Sequence, residues 1–152
     1  MFKILGFLLL FAASAQAQPL GAGRYVLDTA SCHRCDTGWI PDYYSKRIKY
    51  PLSSEALVRK VRAAVVFPKN FKGSGYVTVK FVVNCEGEKN CYHIYETDGR
   101  YQPIHFAKEI TEPLLQFVKQ LGPWPRATGK YRDYFAFLAF KIKDGVITNI
   151  IP

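Results

Sequence analysis

Apolar positions along the chain change period in a definite order. After Ser53 and Ser54, which can cap a helix, Leu57, Val58, Val61, Ala64 and Val65 recur at helical spacing, with Arg59, Lys60 and Arg62 elsewhere on the wheel. The helix should stop before Pro68, and Pro68, Asn70, Gly73 and Gly75 read as a loop. The period then becomes two: Val77, Val79, Phe81 and Val83 point to one side and Tyr76, Thr78 and Lys80 to the other, as in a half-buried strand. A hairpin centred on Glu86-Gly87 returns the chain into Tyr92, Ile94 and Glu96 alternating with His93 and Tyr95. After a turn at Asp98-Gly99, a second helical stripe runs through Ala107, Ile110, Leu114, Leu115, Val118 and Leu121. Thr111 is its expected cap, Pro113 lies in its opening turn, and Gly122-Pro123 end it. A strand over 134–142, a tight Asp144-Gly145 turn and a last run over 146–151 complete the pattern.

The order is helix, two strands, helix, two strands. It predicts an α+β domain over 51–152: a mainly antiparallel sheet of three to four strands with two helices packed on one face. Residues 18–50 keep no period. Pro19, Gly21, Gly23, Gly38 and Pro41 mark them as an irregular arm, and Cys32 and Cys35 lie in it.

The first residues differ in kind. Lys3, an apolar core from Ile4 to Ala13 and the triplet Ala15-Gln16-Ala17 before Gln18 have the layout of a secretory signal peptide cut after Ala17. The core is shorter than the ~20 apolar residues that cross a bilayer, and no later stretch qualifies, so the mature chain is expected to carry no transmembrane segment and to be periplasmic or secreted. The remainder suffices for one domain and stays strongly basic, since only Lys3 is lost from a net charge of +9. Anionic lipid, acidic polysaccharide and acidic peptide are the candidate surroundings; nucleic acid is not expected, because no base-reading motif occurs. With ten tyrosines, eleven phenylalanines and two tryptophans the aromatic content is high. Most should fill the core, and a minority on an exposed sheet face could form a flat platform for sugars or peptides.

Four cysteines in an exported chain imply disulfides. The spacing suggests local bridges, Cys32 with Cys35 and Cys85 with Cys91 facing each other across the hairpin, while other connectivities stay open. Cys32-His33-Arg34-Cys35 also admits a thiol-disulfide redox pair, because His33 and Arg34 favour a thiolate, and a zinc set with Cys85 and Cys91. Haem attachment fails, since Asp36 stands where a histidine is needed. No catalytic constellation assembles: His93 and His105 read as packed or surface residues, and Glu86 and Glu88 as solvated hairpin charges. Neither an enzyme, a cofactor nor a metal is expected.

The segment 67–151 resembles the C-terminal domain of TonB, the energy transducer of Gram-negative outer-membrane transport. The resemblance is carried by Gly75-Tyr76-Val77-Thr78-Val79-Lys80-Phe81-Val82-Val83, Gly87, Trp124-Pro125 and Phe140-Lys141-Ile142 in that order. Two aromatic-proline pairs, Tyr50-Pro51 and Phe67-Pro68, compete for the family's Tyr-Pro, and Pro125 follows Trp124 immediately where the family inserts a residue. What the resemblance implies is a domain that grips an extended peptide of an envelope protein or transporter by adding it to a sheet edge. The inner-membrane helix and proline-rich spacer of TonB itself are missing, so the energised role does not carry over. The implied edge is the strand with Phe137, Ala139 and Lys141, or, if 146–150 pair with it, the outer strand with Val146, Thr148 and Ile150. The bland reading of that edge is one merely protected from aggregation by its lysines and Pro152. A strand-swapped homodimer would follow from the same free edge.

Overall fold

A computed structural model describes residues 32–152. The signal-peptide reading of 1–17 and the first part of the arm, 18–31, lie outside the described residues. The elements are α1 (Ser54–Ala64), β1 (Gly75–Val83), β2 (Lys89–Thr97), α2 (Lys108–Gln120), β3 (Tyr134–Lys143) and β4 (Val146–Ile151). The four strands form one antiparallel sheet in the order β2-β1-β3-β4. This is the expected α+β architecture.

β1 is the central strand. It pairs in unbroken register with β3 from Gly75↔Ile142 to Val83↔Tyr134, so its alternate apolar residues meet those of its neighbour: Val77 beside Phe140, Val79 beside Leu138, Phe81 beside Ala136. All six are fully buried. Both helices lie on that side of the sheet, α1 through Leu57 and Val61 and α2 through Ile110, Leu114, Leu115 and Val118. Trp124 completes this core, its ring packed on Phe81 and Tyr50.

Helix starts follow capping chemistry once and burial once. The Ser53 hydroxyl accepts from the Ala56 N–H, as a cap should. α2 begins earlier than the sequence suggests: Ala107, not Thr111, is its N-cap, and Thr111 is buried inside the helix. Pro113 therefore sits mid-helix, where it leaves the Glu109 carbonyl without its usual donor. Burial of the apolar stripe on both sides of Pro113 outweighs that single lost bond. At the far end the Lys89 amine reaches the Leu121 carbonyl, a cation on a helix C-terminus, and burial pushes its pKa down to about 8.

The β3–β4 hairpin turns through two left-handed residues, Asp144 (φ 50°) and Gly145 (φ 79°), as a two-residue hairpin turn requires. The Gly145 N–H donates to Gly73 O, and a side chain at 145 would run into the Phe71 carbonyl. Gly145→Ala should therefore lower the unfolding free energy by about 1–3 kcal/mol in urea titration. Gly99→Ala, in open space at another turn, should stay within about 0.5 kcal/mol. Equal midpoints for the two variants would contradict this account of the hairpin.

Candidate functional site

The described arm, 32–50, wraps the sheet, and two bridges fix it. Cys32 joins Cys91 and Cys35 joins Cys85, with Cα separations of 4.8 and 5.9 Å. The local pairing suggested by spacing is thus corrected. The hairpin explains why: its ladder ends at Val83↔Lys89, so Cys85 lies beyond the last rung, in a turn closed by the Asn84 N–H on Glu88 O. Cys91 occupies the bulge where the register slips between Lys80 and Val82, with φ 52°. The two cysteines never stand opposite one another. With all four consumed in crossed bridges, Cys32 and Cys35 are not partners, and no thiolate among them is left for zinc.

Two aspartates reinforce the bridges reciprocally. The buried carboxylate of Asp133, just before β3, accepts from the N–H groups of Cys35, Asp36 and Cys85 at 2.8–3.1 Å. Asp36 in turn accepts from the N–H groups of Arg132 and Asp133 at 2.6 and 2.9 Å. Those two backbone donors, Asp133 first, hold the Asp36 carboxyl below its ordinary range. The arm then crosses the helix-free face over Val82, which is 1% exposed, and meets the outer side of β3, where the Phe135 N–H donates to Pro41 O and Asp42 bridges to Phe135.

Around that edge the arm makes a 3-10 turn, Tyr43–Lys46, and passes to the helix side, where Ile48, Tyr50 and Leu52 pack on the core. It leaves a cavity of about 590 Å³ at the end of β4, lined by Tyr43, Tyr44, Arg47, Ile48, Lys49, Tyr50 and Pro152. The size suits a ligand group. Tyr43 donates its hydroxyl to Pro152 O, and Tyr44 donates to Asp42. Burial raises the Tyr43 and Tyr50 pKa values, and the hydrogen bond to Asp42 raises that of Tyr44, so all three phenols remain protonated donors at neutral pH. Arg47 takes a left-handed backbone (φ 55°), uncommon for a bulky residue.

The sequence-derived edge divides between two strands. Ala139 and Lys141 of β3 lie inside the sheet, because β4 pairs with Ala139–Lys143 and β1 with Tyr134–Ile142; Phe137, on the same strand, lies short of the β4 ladder and packs against Tyr43 of the arm. The outer strand is β4. Val146 and Thr148 are exposed on it, whereas the Ile150 side chain is fully buried in the core. The backbone of β4 is guarded: Arg62 of α1 donates twice to Ile147 O at 2.6 and 2.9 Å, and the Asn149 side chain accepts from the Ile150 N–H. The cavity, a notch beside the end of β4, is built from a stretch without period, and its one sequence signal is the Tyr43-Tyr44 pair followed by Lys46, Arg47 and Lys49.

Two other clusters lie apart from the notch. His33, Glu86 and Glu88 bring their ligand atoms within 4.8 Å of one another, all exposed, with Asn84 already donating to Glu88. His105 lies 3.0 Å from the buried Glu96 carboxylate on the helix side, and His93 lies in β2. Among the described residues no helix is long and apolar enough to cross a membrane. No family model, curated protein or solved structure matches the chain.

Two measurements check this site. Trypsin cuts after Arg34 and Lys89, separating each pair of neighbouring cysteines, so a non-reducing digest of denatured, alkylated protein should yield Cys32–Cys91 and Cys35–Cys85 linked peptides; a Cys32–Cys35 link would contradict the fold of the arm. Because the folded pKa of Asp36 is depressed, its contribution is complete above its ordinary value of 3.8 and disappears as pH falls through the lowered folded value. The Arg132 and Asp133 amide resonances should accordingly shift together below pH 3.8, and Asp36→Asn should abolish that inflection.

Proposed function

We propose that this protein is an exported, TonB-C-terminal-like binding protein that grips an extended, acidic segment of an envelope protein or transporter at the end of β4. The observation that carries the reading is the notch. An edge strand offers backbone pairing, and beside its last residues lie the rings of Tyr43, Tyr44 and Tyr50 with the cations Arg47 and Lys49. Exposed Val146 and Ile151, 51% and 46% accessible, give apolar contact at either end of β4. Arg62 and Asn149 already occupy the Ile147 carbonyl and the Ile150 N–H, so an added segment pairs with the remaining backbone groups of β4 and takes its selectivity from the notch beside them.

The element order, a β1 with the Gly-Tyr-Val-Thr-Val pattern and a buried Trp124 against β1 are compatible with the family resemblance. In this reading the protein is an adaptor or regulator without catalytic residues. The crossed bridges staple the arm that builds one wall of the notch.

Fluorescence polarisation with a labelled, extended Asp/Glu-rich peptide tests it. Binding should weaken about tenfold or more in Arg47→Gly, equivalent to ~1.4 kcal/mol. Glycine suits the left-handed backbone at 47, so this variant should be at least as stable as the parent and lost binding cannot be laid to unfolding. Equal affinity of parent and Arg47→Gly, or failure of the parent to bind any extended peptide of a library, would overturn the reading.

A further inference from the structure

The helix-free face of the sheet has its own composition. From β2 to β4 its rows read Thr97, Tyr76, Lys141, Asn149, then Tyr95, Thr78, Ala139, Ile151, then His93, Lys80, Phe137. Glu96 is the one carboxylate in all four strands, and it points to the helix side, buried at 6%. The face is therefore aromatic and cationic with no acid from any strand. Neighbouring carboxylates are engaged at its margins: Asp42 with Lys80 at 3.7 Å, and Asp98 with the N–H groups of Arg100 and Gln102.

One aromatic there is held at a cost. Tyr101, in the loop after β2, adopts φ 62°, a backbone that bulky side chains avoid, and its ring stands 69% exposed. It lies parallel to Tyr76, with centroids 5.3 Å apart and planes 17° apart, and Lys141 reaches the Tyr76 ring from the next strand. Neither core packing nor the turn needs a tyrosine there. Strain retained for an exposed ring points to use of that ring.

We propose that this face binds an anionic sugar polymer, with a sugar ring lying on Tyr101 and an acid group meeting Lys141 beside it. An apolar ring face beside a cation matches a sugar acid, which presents a C–H face and a carboxylate on one unit. Strands lie about 4.8 Å apart, so the sheet offers a flat strip roughly 14 Å across for a linear chain. Nucleic acid would also find stacking and positive charge, but two disulfides fit an oxidising compartment, where polysaccharide is the abundant polyanion. This site is separate from the notch and does not rest on the peptide reading.

The test is isothermal titration of the mature protein with polygalacturonate, against neutral dextran, an oligothymidylate and phosphatidylglycerol vesicles. Polygalacturonate should bind and dextran should not, with affinity falling as salt rises. Lys141→Gln and Tyr101→Asn should each weaken binding about fivefold or more; asparagine tolerates the left-handed backbone, so the second variant keeps its fold. Absence of polygalacturonate binding, or binding equal in parent and both variants, overturns the proposal. Tighter, variant-sensitive binding of the oligothymidylate or the vesicles overturns it in favour of a nucleic-acid or lipid surface.

Discussion

The fold of the arm depends on a buried carboxylate. Asp133 collects N–H donors from two segments, the arm at Cys35 and Asp36 and the β1–β2 turn at Cys85. A buried acid is tolerable only when hydrogen-bond partners surround it, and a chain crossing a sheet face must find partners for its backbone amides. Each need is met by the other. The bridges then make the arrangement permanent, tying the same arm to the same hairpin on either side of that carboxylate. The walls of the notch, the coverage of Val82 and the bridge of Asp42 to Phe135 all follow from where this anchor sets the arm.

Much of the domain was legible in the sequence because its signals are local. The two-residue period of β1, the stripe of α1 with its serine cap and the Asp144-Gly145 turn are each decided within a few residues, and each stands where it was read. The start of α2 was misplaced because a threonine cap and a proline made a plausible local boundary, whereas burial of Ile110 and Thr111 extends the helix past it. The bridges were misread for a similar reason. Spacing favours neighbours, but a bulge at Cys91 and a turn at Cys85 turn those neighbours away from each other. The notch was hidden in a stretch with no period, since its residues converge only after the arm rounds the edge of β3.

The molecule has two surfaces of unlike design. On the helix side, apolar residues from three elements meet and exclude water. On the other side the same strands carry rings and ammonium groups; the arm covers one end, where Lys80 meets Asp42 and Phe137 packs on Tyr43, and no described helix lies over the rows around Tyr76 and Lys141. A sheet with one packed and one solvated face is ordinary in antiparallel architecture. Absence of any acid among the strand residues of that face is a narrower choice, and it leaves Lys80 and Lys141 with no carboxylate partner from the sheet itself.

The crossed bridges also bear on how the chain matures. In a reduced, unfolded chain the thiol nearest Cys32 is Cys35, three residues away, whereas the native partners lie 59 and 50 residues distant. Loop-closure entropy opposes those long loops until the hairpin stands beneath the arm. Oxidation that runs ahead of folding will thus trap neighbours, and the native pattern is reached from there only by thiol-disulfide exchange. Fully cross-bridged protein is accordingly a record of its own history: each such molecule brought arm and hairpin together before its final bridges were set, by direct oxidation or by exchange.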